Sequence, residues 1–130
     1  MAQVVTRTGV ITGSTSFQAL SALAGATVSS SFVVGAGLSA IKSLSCSQGV
    51  DGAGEEFTGL IKISGSSMRD GDDIFNVGAQ NTMGTSTGSN QNYVAIDTNL
   101  AVKAGNSVEI SYAQVGSTAT VDVACTLQFS

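Results

Sequence analysis

Apolar residues recur at every second position along much of this chain, the pattern of strands that bury one face. In "TATVDVACTLQF" (118–129), Val121, Val123, Cys125, Leu127 and Phe129 alternate with polar or small residues. "FTGLIKIS" (57–64) sets Phe57, Ile61 and Ile63 inward and Thr58, Lys62 and Ser64 outward, with Gly59 marking a bulge or a close backbone approach. "QVVTRTGVIT" (3–12), "ATVSSSFVVG" (26–35), "DIFNVGAQ" (73–80) and "NYVAIDT" (92–98) read as further strands. Val28, Phe32 and Val34 share a face in the second of these, and Tyr93, Ala95 and Asp97 oppose Val94 and Ile96 in the last. "LSAIKSLSC" (38–46) places Leu38, Ala40, Leu44 and Cys46 on one side, a face that Lys42 interrupts. "NLAVKAGNSVEISYAQVG" (99–116) reads as a hairpin. Leu100 and Val102 lead into an Ala104-Gly105-Asn106 turn, and Val108, Ile110 and Tyr112 return along one face, with the Tyr112 hydroxyl at the rim.

Eight or nine short strands with Gly, Asn, Asp and Ser between them, and no helical period separating them, point to an all-β sandwich or barrel. "STSFQALSALAG" (14–25) admits two readings. It fits a short helix with Phe17, Leu20 and Ala24 buried, or an extended segment, because its flanks are rich in Ser and Thr. Two stretches read as loops: "SQGVDGAGEE" (47–56), and "NTMGTSTGSNQN" (81–92), which carries no charge. A polar loop of that length in a small domain is usually functional or ordered by a partner.

Composition sharpens this picture. The 130 residues suit a single domain. Only 11% are charged, against about 25% in ordinary soluble domains. Ser, Thr, Asn, Gln and 16 Gly take the place of the missing charge. Neutral hydroxyls and amides cost far less to desolvate than ions, so much of this surface is expected to meet protein. The five basic residues, Arg7, Lys42, Lys62, Arg69 and Lys103, do not cluster, so no nucleic-acid partner is expected. No apolar run approaches the ~20 residues that span a bilayer, and no membrane partner is expected. Cys46 and Cys125 match no zinc or redox spacing. Cys125 lies on an apolar face and reads as a buried free thiol. A disulfide would require Cα atoms within about 7 Å.

Chemistry finds little purchase. Without histidine, the Ser-His and Cys-His nucleophile pairs do not exist. "VVGAGLSA" lacks the third glycine and the following helix of a dinucleotide turn. "RDGDD" (69–73) offers Asp70, Asp72 and Asp73 as hard oxygen ligands, but departs from the calcium-loop spacing and fits an Asp-Gly turn better. Exposed aromatics for sugar stacking reduce to Tyr93. No enzymatic role, cofactor or metal is expected.

The layout resembles the small single jelly-roll proteins of virions, above all the capsid decoration (cement) proteins of tailed phages. The residues that carry the resemblance are "GLIKISGSSMRDGDDIFNVGAQ", the polar loop after it, and "AIDTNLAVKAGNSVEISYAQVGSTATVDVACTLQF". It implies one antiparallel jelly-roll-like sandwich over residues 1–130, of about eight strands with at most one short helix. It also implies a non-enzymatic clamp on the capsid exterior, acting as a dimer or trimer on neighbouring subunits of a major capsid protein. Contacts are then expected from the first strand (Val4, Val5, Thr6) and from the neutral loop and its border (Met83, Thr85, Ser86, Asn90, Tyr93). Three alternatives remain: a small jelly-roll major capsid protein, an extracellular filament subunit that donates its N-terminal strand (1–12) to a neighbour, and a glycan-binding module.

Overall fold

Period-two segments fold here into nine strands: β1 (Gln3–Thr12), β2 (Gln18–Ala19), β3 (Phe32–Val33), β4 (Ala40–Asp51), β5 (Glu56–Ser64), β6 (Asp73–Asn81), β7 (Ser89–Ala101), β8 (Ser107–Val115) and β9 (Thr120–Phe129). The computed structural model describes residues 3–12, 16–21, 31–51, 56–81, 89–115 and 120–130. Side chains 12, 50–51, 56–57, 78–81 and 89–92 are outside the description. Among the described residues there is no helix, and so none that could cross a membrane.

Two antiparallel sheets form a sandwich. One has the order β1-β9-β4-β7; the other has the order β2-β8-β5-β6, with β3 also paired to β8. The pairings are nested: β1 with β9, β2 with β8, β4 with β7, β5 with β6. Apart from the short β3, every connection except β5–β6 crosses from one sheet to the other. A long hairpin rolled up in this way is the double Greek key of the jelly roll. The all-β sandwich expected from the pattern is what the chain forms. Its core lies between the sheets, built from Leu20, Ile41, Leu44, Ile61, Ile63, Ile110, Tyr112, Leu127 and Phe129, all fully enclosed. Phe32 closes one side of it edge-on to Phe129, with ring centroids 5.8 Å apart. The Arg7 guanidinium caps Phe32 from 4.7 Å.

Several local expectations change. Residues 99–116 are not a hairpin, because β7 and β8 belong to different sheets. The turn between them is a corner of the sandwich: Val102 N donates to Ser39 O, Lys103 N to Ser67 O and Gly105 N to Val34 O, at 2.8–2.9 Å. Gly105, at φ 82°, supplies the left-handed residue that both a hairpin and a corner require. A helix over 14–25 is ruled out where the chain is described, since Gln18 and Ala19 pair with Tyr112 and Ser111 of β8. Both expected loops are partly strand. Residues 47–51 continue β4 and pair with 89–93 of β7, because ladder hydrogen bonds need only backbone groups.

Lys42 is resolved by a bulge. Ile41 pairs with Phe129 and Ser43 with Gln128, so β4 carries one extra residue there. The bulge keeps both Ile41 and Leu44 in the core and leaves Lys42 exposed. Gly59 fulfils the second of its expected roles, a close approach: β5 runs through it in unbroken register with β8, and the bulge is on the strand opposite, β6. The β5–β6 register shifts between Thr58 and Leu60. A Cβ on Gly59 would strike the Gln48 amide and lie 2.8 Å from the Tyr112 hydroxyl oxygen.

Candidate interaction face

The outer side of the β1-β9-β4-β7 sheet follows directly from register and parity. Val4, Gln128, Ser43 and Asp97 form its first row, and Thr6, Thr126, Ser45 and Ala95 its second. Thr8, Ala124, Ser47 and Tyr93 form the third, and Val10, Asp122 and Gly49 lie in the fourth. Charge enters only at Asp97 and Asp122, in the first and last of these rows. The two middle rows are hydroxyls, alanines and one tyrosine.

Three large side chains stand out of this face: Tyr93 is 68% exposed, and Val4 and Val10 are each 61% exposed. Some of its hydroxyls already have partners within the face. Thr6 Oγ1 and Thr126 Oγ1 lie 3.0 Å apart, and Ser43 Oγ donates to Gln128 Oε1 at 3.2 Å. Groups that keep such partners lose little when water is removed. At ~4.8 Å between strands and ~6.8 Å between rows, the face covers about 500 Å², less than the ~800 Å² per partner of a standard interface. A face of this size suits a contact that symmetry repeats, or one that adjoining segments enlarge.

The residues expected from sequence to make contacts divide three ways. Val4 and Thr6 on β1 and Tyr93 on β7 share this face, at its two opposite edges. Val5 is corrected: only 8% exposed, it points into the core, since neighbours along a strand face opposite ways. Met83, Thr85 and Ser86, and the side chain of Asn90, lie outside the described residues. Ser43, Ser45, Ser47, Ala95 and Thr126 share this face too, and are not among the residues expected from sequence to make contacts. The outward alternation of "SLSCS" was a visible signal, but only strand order shows that these positions are contiguous.

The carboxylates of "RDGDD" do not converge. Gly71, at φ 90°, makes a turn, Asp70 and Asp72 are exposed, and Asp73 opens β6 opposite Ile63. Among the described residues no group of three or more His, Cys, Asp or Glu is placed to hold a metal ion. The opposite outer face of the sandwich, on the β2-β8-β5-β6 sheet, carries exposed Ile74 and Val115 and a Lys62 ammonium 4.9 Å from the Phe17 ring centroid.

Polar chemistry in the interior centres on Tyr112. Its hydroxyl is not at the rim but fully buried, donating to Gln48 Oε1 at 2.6 Å in the space that Gly59 leaves open. Burial, with Cys46 and Cys125 adding to it, raises this phenol above its ordinary value of 10.0. The folded protein therefore keeps a proton that the unfolded chain gives up. Its contribution to stability is complete below pH 10.0 and declines as pH rises beyond that. Tyr112→Phe removes the donor from Gln48 Oε1 and is expected to cost about 2 kcal/mol at neutral pH. It should also flatten the alkaline decline. Urea titrations of both proteins at neutral and alkaline pH check the two effects.

No family model matches the chain, and no curated protein does. Among solved structures, the chain is similar to one from the Gx strain of infectious bursal disease virus, at 14% identity and TM-score 0.41, covering 99% of this chain and 32% of that one. It is similar also to the VP2 subviral particle of that virus, at 14% identity and TM-score 0.28, covering 98% and 41%. A third is the Eiger TNF from S. frugiperda, at 7% identity and TM-score 0.48, covering 95% and 91%. The chain thus spans about a third of the first of these. With TM-scores of 0.48 or lower, these similarities leave the functional reading to the chain's own surface.

Proposed function

We propose that this chain is a non-enzymatic virion structural protein. It decorates and cements a capsid from outside by packing on copies of itself, as a dimer or trimer, and on a major capsid protein. The observation that carries this reading is the outer β1-β9-β4-β7 face, whose two middle rows hold no charge and whose Thr6, Thr126 and Ser43 hydroxyls already have partners within the face. A surface of this kind is cheap to bury and poorly suited to keeping a lone subunit dispersed. β1 pairs with β9 of the same chain at ten consecutive positions, which favours a closed subunit over a filament built by strand exchange. The uncharged stretch 82–88 is expected to add to the contact, and its removal should weaken assembly while the sandwich still folds.

Ser45→Arg tests the reading in the second row of the face, where it leaves the core untouched. Light scattering should give a dimer or trimer for the unaltered chain and a monomer for the variant, with equal circular dichroism. Equal masses for the two proteins would remove this face from the contact. Closed shells formed by the isolated chain would instead identify a major capsid subunit.

A further inference from the structure

The two cysteines come from strands far apart in the chain, yet they are direct register partners at the centre of one sheet: Cys46 on β4 and Cys125 on β9. Their sulfurs lie 2.8 Å apart as free thiols. Both are almost fully enclosed, at 1% and 0% exposure. The kind of pair follows from the neighbouring ladder. Thr8 N donates to Ser21 O and Thr8 O accepts from Ser21 N, so the backbone of Thr8 points away from β9. Thr8 and Ala124 are then a non-hydrogen-bonded pair, and one step on, Arg7 and Cys125 are a hydrogen-bonded one. Cys125 thus spends its backbone groups on β1, which makes Cys46 and Cys125 a non-hydrogen-bonded pair.

In such pairs the Cα atoms are about 4.5 Å apart and the side chains close, inside the ~4.4–6.8 Å that a disulfide spans. The register runs unbroken from Ser43 to Val50 on β4, so no bulge separates the two residues.

We propose that Cys46 and Cys125 form an oxidation site at which a small peroxide closes an intramolecular disulfide across β4 and β9. One thiol, as thiolate, attacks the O–O bond of hydrogen peroxide and becomes a sulfenic acid, releasing one water. The other sulfur displaces the sulfenic hydroxyl as a second water. One S–S bond forms and both S–H bonds are lost. The two sulfurs together give up two electrons, and these reduce one peroxide to two waters.

Burial selects the oxidant. Peroxide, a four-atom molecule, needs far less opening of the sandwich to meet the enclosed pair than a bulky disulfide such as oxidised glutathione, which must wait for β4 and β9 to separate. The reaction is slow for the same reason: the hydrogen bond with Cys46, then burial, raise the Cys125 thiol and keep thiolate scarce. Both sulfurs face inward, so closure pins the middle of the sheet without altering its outer face. It joins residues 79 positions apart, a loop long enough for a large restriction of the unfolded chain.

The full chain, exposed to hydrogen peroxide, quenched, denatured and alkylated, reports the outcome by mass. The expected product has lost two hydrogens, takes up no alkylating reagent, and yields one linked peptide pair that dithiothreitol separates. Its melting temperature should rise on the order of 10 °C above that of the reduced protein. Oxidised glutathione should leave the native protein unlinked over the same period. Cys125→Ala should accumulate a sulfenic acid at Cys46 that dimedone traps; the unaltered chain decides the matter if that variant does not fold. Two alkylatable thiols after peroxide, sulfinic adducts, or linkage between chains would overturn the proposal. Equal closure by oxidised glutathione would overturn the burial-selected route.

Discussion

Val123→Asp is expected to yield no folded protein. Val123 is 3% exposed and sits on β9 between β1 and β4, opposite Gly9 on one side and Gln48 on the other. Its inward neighbours on the same strand are Val121 and Cys125, and β9 carries no basic residue to meet a carboxylate. The aspartate must either ionise in an apolar layer or be held protonated there. With the lost apolar packing, the cost is on the order of 4 kcal/mol or more, against a total stability of about 5–15 kcal/mol for a domain. Because β9 joins β1 to β4, local accommodation would break the middle of the sheet. Soluble yield and far-ultraviolet circular dichroism check this. A soluble variant with native strand signal and melting temperature would show that the β9 face is not the core.

Gly65→Ala is expected to fold but with a large loss of stability. Gly65 has φ 125°, a region closed to residues with a Cβ. The atoms that a Cβ would meet are the Ser107 carbonyl oxygen, the Ser107 carbonyl carbon at 3.0 Å and Val108 Cα at 3.1 Å. All three are backbone and cannot rotate aside. The turn that Gly65 opens also holds the sandwich corner. Ser67 N donates to Ser107 O, Lys103 N to Ser67 O, and Ser67 Oγ to Lys103 O at 2.8 Å. Strain and displacement together should cost about 3 kcal/mol, a fall in melting temperature on the order of 10 °C. A shift within a degree or two of the unaltered protein would contradict this placement. Gly71→Ala is the comparison: its φ is 90°, but a Cβ there meets nothing within 4 Å, so it carries conformational strain alone and a smaller loss.

Particular residues show what the sequence makes legible. The inward sets of β5 and β9 follow from alternation alone, and Ile61, Ile63, Val121, Val123, Cys125, Leu127 and Phe129 are all buried. The corner at 102–106 was not legible as a corner. A glycine turn between two alternating strands has one local signature, whether the second strand pairs with the first or passes to the facing sheet. Lys42 looked like a flaw in β4 because one bulged residue reverses parity for all that follow. The polar ends of β4 and β7 read as loops because a ladder is held by backbone groups that composition does not display.

The site shows the same division. Tyr93 was legible as opposed to Val94 and Ile96, whereas Val4, Val5 and Thr6 were expected together without a facing; only the order β1-β9-β4-β7 makes one surface of Val4, Thr6 and Tyr93, with Ser45 and Thr126 between. The juxtaposition of Cys46 and Cys125 is likewise a property of strand order, which neither cysteine's surroundings in the chain reveal.

Hydroxyl-radical footprinting of dispersed and assembled protein tests the central claim most directly, because it reads side chains one by one. Tyr93, Val4 and Val10 mark the outer β1-β9-β4-β7 face, and Ile74 and Val115 mark the opposite one; all five are more than half exposed in the single chain. Assembly is expected to lower the labelling of the first three several-fold and leave the other two unchanged. Protection of Ile74 and Val115, with Tyr93 still fully labelled, would contradict the account and place the contact on the other sheet.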